Sequence, residues 1–143
     1  MNKMLSKHFS AAELQCKHCS QLSVDMRLVA ALEELRTIVG KPIKILSGYR
    51  CEEHNKAIGG EPRSLHTLGT AADIACPAGV PLAEFYLCVA QVPAFGDSGI
   101  GLYPGERTPF VHADVGRPKP ARWARINGKY VGINEALKGV AKP

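Results

Sequence analysis

What this chain lacks narrows its function before any motif is considered. No apolar run approaches the roughly 20 residues that would cross a bilayer. The first ten residues, Met1 to Ser10, carry positive charge but not the apolar core of about 7–15 residues that marks a secretory leader, so synthesis in a cytoplasm without a membrane span is expected. There is no internal repeat and no low-complexity segment. Nor is there a long Lys/Arg block, a basic stretch interleaved with aromatics or a nucleic-acid signature, although the formal net charge is +5 and the pI is near 9.0. Much of the excess lies late, at Arg117, Lys119, Arg122, Arg125, Lys129, Lys138 and Lys142. A solvated basic face attracted to an anionic partner, such as bacterial cell wall, accounts for it without nucleic acid.

Cysteine is present but incomplete as a pattern. Cys16, Cys19, Cys51, Cys76 and Cys88 are odd in number, so at least one thiol is free. Cys16-Lys-His-Cys19 has the spacing of half a structural zinc site, yet no second Cys-x-x-Cys completes four ligands. The five read as small, semi-buried, reduced thiols, with a contact from Cys16 or Cys19 to Cys51 as the alternative.

With 143 residues, 45% of them apolar and 22% charged, the expectation is one soluble domain, since two would each be short of core. Ser10-Ala-Ala-Glu13 has the form of a capping box and predicts a short helix ending by Cys16. Over Asp25–Val39 the apolar positions Leu28, Ala31, Leu32, Leu35, Ile38 and Val39 recur at helical spacing, stopped by Gly40 and Pro42. Pro42 to Leu46 predicts a strand, Gly48 a sharp turn, Glu52 to Ile58 one or two helical turns, and Pro81 to Val92 a helix. Ala71–Cys76 reads as a strand. Ile100–Tyr103 and Phe110–Val115 read as an antiparallel pair, and Asn127-Gly128 as the turn of a second hairpin. The fold class is α+β, a single domain over 1–143 with a small antiparallel sheet flanked by helices. Its core is expected over about 9–123, followed by a basic extension over 124–143.

Side chains alternate along a strand. Phe110, His112 and Asp114 therefore share one face and Val111, Ala113 and Val115 the other. Asp73 likewise stands with two alanines, against Ala72, Ile74 and Cys76. Polar groups that share a parity within otherwise apolar strands would each cost several kcal/mol if unpaired, and a cation offsets that cost. Two imidazoles, His66 and His112, with a carboxylate are the donor set of a zinc ion that keeps one position open for water.

The stretches Ser47-Gly-Tyr-Arg50-x-x-x-His54-Asn55, Gly59-Gly60, Ser64-x-His66, Gly69-x-Ala-Ala-Asp73-Ile74, Gly101-x-Tyr103, Phe110-Val-His112-x-Asp114-x-Gly116 and Arg122-Trp123 closely resemble the M15 zinc peptidases. These are D-Ala-D-Ala carboxypeptidases and peptidoglycan endopeptidases, many phage endolysins among them. The resemblance runs from about Phe9 to Trp123. It implies one zinc ion bound by His66, Asp73 and His112, in a fold shared with the hedgehog signalling domain. Arg50, at a strand end, is the expected partner of the substrate carbonyl or its oxyanion, with a structural role as the alternative.

Many relatives carry an acid three positions before the last ligand, where this chain has Pro109. Asp114, on the face of His112, is the first candidate for the general base, with orientation of that histidine as its other reading. Glu106, on the preceding turn and placed like the hedgehog acid, is the second. His54 and Ser64 are expected to line the groove, and Ser64 alternatively to hold the loop of His66. Trp123 is expected either to wall the cleft or to close the core. His8 and His18 receive no role. The implied activity is a monomeric zinc metallopeptidase acting on peptidoglycan peptides, in the manner of a phage or prophage lysin that reaches the wall after release. The alternative is a non-catalytic, zinc-stabilised module that binds cell wall or protein.

Overall fold

The computed structural model describes residues 3–140; Lys142 and both ends of the 1–143 range lie outside the described residues. Among the described residues no helix is long and apolar enough to cross a membrane.

Helix α1 (Ala11–Leu14) starts at the predicted capping box: the Ser10 N–H donates to Glu13 Oε2 at 2.7 Å, while Ser10 Oγ accepts from the Glu13 N–H at 3.4 Å. Helix α2 (Met26–Val39) is capped by Asp25, whose side chain accepts from the Arg27 N–H at 2.8 Å, and ends at Gly40. It buries Leu28, Val29, Ala31, Leu32 and Leu35. Ile38 lies at the margin of that stripe and stays 40% exposed. Strand β1 (Ile45–Ser47), α3 (Glu52–Ala57), a 3-10 turn (Leu65–Leu68), β2 (Ala71–Ala75), α4 (Leu82–Gln91) and α5 (Pro93–Gly96) follow. The chain continues through β3 (Gly99–Tyr103), β4 (Phe110–Asp114), β5 (Ala121–Ile126), β6 (Lys129–Val131) and α6 (Ile133–Val140).

The six strands form one sheet in the order β1-β2-β4-β3-β5-β6. Every pair is antiparallel except β3 with β5. The parallel pair follows from the edges left free. One side of β4 is taken by β2 and the other by β3, and the chain leaves Asp114 beside the start of β3, so the next strand adds to the open edge of β3 with Ala121 against Gly99. The Asn127-Gly128 hairpin forms as expected, both residues having positive φ, 53° and 76°, as a two-residue turn of this kind requires.

Helices α4 and α5 pack on one face of the sheet, with α2 against both. Ile74, Val111, Ala113, Ile100 and Leu102 meet Phe85, Val89 and Phe95 there in a single core. Full burial of each large side chain stabilises the fold by about 1.5–3 kcal/mol. Ala124 and Ala136 belong to this core, and α6 packs on β5, β3 and α4. Strands β5 and β6 and helix α6 therefore pack as part of the domain. Two nearby basic side chains are also structural. The Arg122 guanidinium donates to the Gly96 and Ser98 carbonyls at 2.7 and 2.9 Å, and Arg117 pairs with Asp114.

Candidate metal centre

The face of the sheet opposite α4 and α5 carries the chemistry, because pairing lines up one row across five strands. Ser47 lies opposite Asp73, Asp73 opposite His112, His112 opposite Gly101, and Gly101 opposite Trp123. A side chain at Gly101 would collide with the Trp123 indole, so the missing Cβ lets that ring lie across the sheet, its centroid 5.0 Å from that of His112.

His66 reaches the row from the 3-10 turn. Ser64 caps that turn, accepting from the His66 N–H at 3.2 Å, and the Arg50 N–H donates to the His66 carbonyl at 3.1 Å. One ligating atom each from His66, Asp73 and His112 lies within 4.8 Å of the others. Both His66 Nε2 and His112 Nδ1 stand 3.3 Å from the same oxygen, Asp73 Oδ1.

The rear nitrogens decide what those inward atoms are. His66 Nδ1 is 2.8 Å from the Gly48 carbonyl, an acceptor only, so it carries the proton and Nε2 of the neutral ring presents a lone pair. His112 Nε2 is 2.7 Å from the Asp114 carboxylate, so Nδ1 likewise presents a lone pair. Two lone pairs and a carboxylate oxygen thus converge on one point, an arrangement of three acceptors that a cation relieves. The donor set of two imidazoles and one carboxylate suits a borderline-soft divalent ion such as zinc. Burial opposes ionisation of Asp73, but His66 and His112 outweigh it and hold the carboxyl far below its ordinary range. Burial pushes the His112 imidazole down, and the Asp114 and Asp73 carboxylates more than reverse that.

Asp114 stands behind His112, not beside the point of convergence. It is fully buried. Besides His112 its oxygens accept from Ser98 Oγ at 2.5 Å, the Gly99 N–H at 2.8 Å and Arg117 Nε at 3.0 and 3.1 Å. Burial would raise its pKa, yet the His112 and Arg117 contacts bring it down to about 2. A carboxylate so fully engaged is a poor proton acceptor. Of the two readings made from the sequence, this geometry supports the orienting one.

Arg50 lines the cleft over the centre, a cavity of about 880 Å³ that also meets Ser64, Tyr103, Phe110 and Trp123. Its Nη2 donates to Ser64 Oγ at 3.3 Å, while Nε is buried with no partner among the described residues. Burial pulls the guanidinium below its ordinary value, the Asp73 charge opposing this. The guanidinium as a whole is half-buried and lines the cleft, where its outer N–H groups can donate to an acceptor on a ligand. Ser64 serves both the His66 turn and Arg50. Trp123 is a cleft wall, its Nε1 donating to Tyr103 Oη at 2.9 Å.

Two expected residues lie elsewhere. His54 does not line the cleft: α3 turns its ring onto His18, with centroids 5.5 Å apart and planes 3° from parallel. Glu106 is exposed on the turn between β3 and β4, outside the residues that line the cavity. Sequence reasoning missed Tyr103, Arg63, Arg125 and Glu61 in the lining, and Arg117, Ser98 and Gly99 as the support of Asp114. It also missed Asn55, whose Nδ2 donates to the Glu61 carbonyl at 2.7 Å and so ties down the cleft loop. The spacing of Asp114 and Arg117, three residues apart, was a usable signal; the others depend on register.

No curated protein matches the chain. The model of the family described as Peptidase M15 matches residues 7–114, a span that contains all three converging ligands. With that match covering most of its length and the His66–Asp73–His112 geometry at its centre, the chain belongs to the peptidase M15 family.

Proposed function

We propose that this chain is a zinc-dependent peptidase that hydrolyses an amide bond involving D-amino acids in bacterial cell-wall peptides, as a carboxypeptidase or endopeptidase. The observation that carries the reading is the convergence of His66 Nε2 and His112 Nδ1 on Asp73 Oδ1 at 3.3 Å beneath an arginine with an unpartnered buried donor. Bound there, zinc supplies a water acidic enough to deprotonate near about pH 7 and a Lewis acid for the scissile carbonyl.

The chain's own groups do the rest. Asp114 and the Gly48 carbonyl hold the two imidazoles in the tautomers that face inward. Arg50 receives the carbonyl oxygen as negative charge develops on it, and Ser64 holds Arg50 in place. Arg63, Arg117 and Arg125 line the cleft, which suits the carboxylates of wall peptides. Proton transfer to the leaving amine falls to Glu61, which lines the cleft, or to Glu106, which lies outside that lining on the β3–β4 turn and would have to swing in. A phage or prophage lysin that reaches the wall once the membrane is breached fits this chemistry, and the net charge of +5 favours retention on an anionic wall.

Mass spectrometry of purified peptidoglycan digested with metal-loaded protein tests the reading, since new termini identify both the activity and the bond. Cleavage lost in His112→Ala is expected; no product from the metal-loaded native chain rejects it. One observation favours a second reading, a non-catalytic zinc-stabilised binding module. Besides the ligand Asp73, the lining holds only one acid, Glu61, among the described residues. Retention on peptidoglycan without any cleavage is the result that selects it.

A further inference from the structure

The His66–Asp73–His112 centre leaves a second cluster unused. Cys16, Cys19 and Cys51 bring their sulfurs within 4.8 Å of one another. Cys16 and Cys19 lie on a tight turn in which the Ser20 N–H donates to the Cys16 carbonyl at 2.9 Å. Cys51 is the N-cap of α3, and its sulfur accepts from the His54 N–H at 3.3 Å. The sulfur of Cys16 accepts from the Cys51 N–H at 3.5 Å. Backbone N–H groups aimed at sulfur favour the thiolate, the form that ligates metal. Two imidazoles come from the same two segments, His18 from between the first two cysteines and His54 from the first turns of α3; their rings stack at 5.5 Å, outside the group of three sulfurs.

The separation of the sulfurs is informative. In a tetrahedral zinc site with Zn–S near 2.3 Å, neighbouring sulfurs are about 3.8 Å apart, whereas a disulfide holds them at about 2.05 Å. Cys16 Sγ and Cys51 Sγ are 3.7 Å apart. We propose that Cys16, Cys19 and Cys51 hold a structural zinc ion separate from the His66–Asp73–His112 centre, with the ring of His18 or His54 rotating in to supply the fourth donor. Three thiolates and one imidazole are a recognised donor set for structural zinc, with no position left open for water.

The site has a job in the fold. Cys51 directly follows Arg50, and the Gly48 carbonyl of the same segment receives His66 Nδ1 at 2.8 Å. The Tyr49 N–H already donates to the Leu14 carbonyl at 2.8 Å. A metal joining Cys51 to the Cys16–Cys19 turn pins the segment that aims Arg50 and His66 to the N-terminal part of the domain.

Elemental analysis of the full chain, purified with its thiols reduced and loaded with zinc, is expected to give about two ions per chain. His112→Ala should keep the cysteine-bound ion, and Cys19→Ser should keep the other. Cobalt(II) loading of the unaltered chain guards against a variant that fails to fold. Thiolate-to-cobalt charge-transfer absorption is expected, it should persist in His112→Ala, and it should weaken on replacing one of His18 or His54 by Ala. Only one ion per chain with no such absorption overturns the site, as does a Cys16–Cys51 disulfide found in the reduced preparation. Absorption indifferent to both histidines overturns the imidazole ligand.

Discussion

On one face of the sheet, Ile74, Val111, Ala113, Ile100 and Leu102 meet the helices; on the other, one residue along the same strands, Asp73, His112 and Gly101 meet Trp123 and the cleft. Burial does not separate the two. His66, His112 and Asp114 are 2%, 8% and 0% exposed, and Val111 and Leu102 are both at 0%. What differs is what each side chain requires of its surroundings. The core face requires volume and shape, which a neighbour can partly supply by relaxing. The site face requires named donors at named atoms, and an unmet requirement there leaves a buried charge or lone pair without a partner.

That difference can be broken or sharpened by substitution. The largest effect is expected from His112→Ala: metal-dependent hydrolysis falls to background while circular dichroism keeps the native fold, measured on matched preparations. If Val111→Ala, one residue away, removes activity equally in the folded protein, the division of labour between faces is wrong. Arg50→Ala comes next, with a loss of about 10²–10³ in kcat and little change in melting temperature. The converse case is Leu102→Ala, expected to cost about 2–5 kcal/mol in urea unfolding, with kcat of the folded fraction intact. Asp114→Asn should weaken metal affinity or activity by about 10–100-fold, because His112 loses the charge that holds its tautomer; direct titration with zinc measures it.

The smallest effect lies remote from both faces. Glu33 accepts from Ser6 Oγ at 2.5 Å and from the His8 N–H at 2.7 Å. Burial opposes its ionisation, but these bonds hold its pKa below the ordinary 4.5. A depressed carboxylate contributes stability that is full above that ordinary value and lost as pH falls through the lower folded one. Glu33→Gln is therefore expected to cost about 0.5–1.5 kcal/mol near neutrality and to flatten the acid limb of the stability profile. An unchanged limb would remove Glu33 from the account.

Much of this was legible in the chain. The capping box at Ser10, the α2 stripe, the Asn127-Gly128 turn and the parity of Asp73 and His112 all rest on local spacing, and the ligand triad rests on motifs within the M15 match. Other features were out of reach for definite reasons. His54 belongs to the Ser47–Asn55 stretch that resembles the M15 peptidases and was expected in the groove, but α3 carries its ring to His18. Cys-x-x-Cys looked incomplete because no second such pair follows, and the contact to Cys51 offered as its alternative forms 35 residues away, at 3.7 Å from Cys16. The parallel pairing of β5 with the open edge of β3 likewise rests on a long-range contact.

By itself the sequence determined which residues alternate, which turns close and which three side chains are chemically fit to share a cation. All of these follow from backbone periods and short-range hydrogen bonding within a few residues. The tertiary structure alone decided which nitrogen of each histidine faces inward, that Asp114 stands behind His112, and that the His54 ring meets His18. Each depends on the neighbour supplied by a distant segment through strand register and helix packing, and a buried polar atom takes its role from the partner it meets.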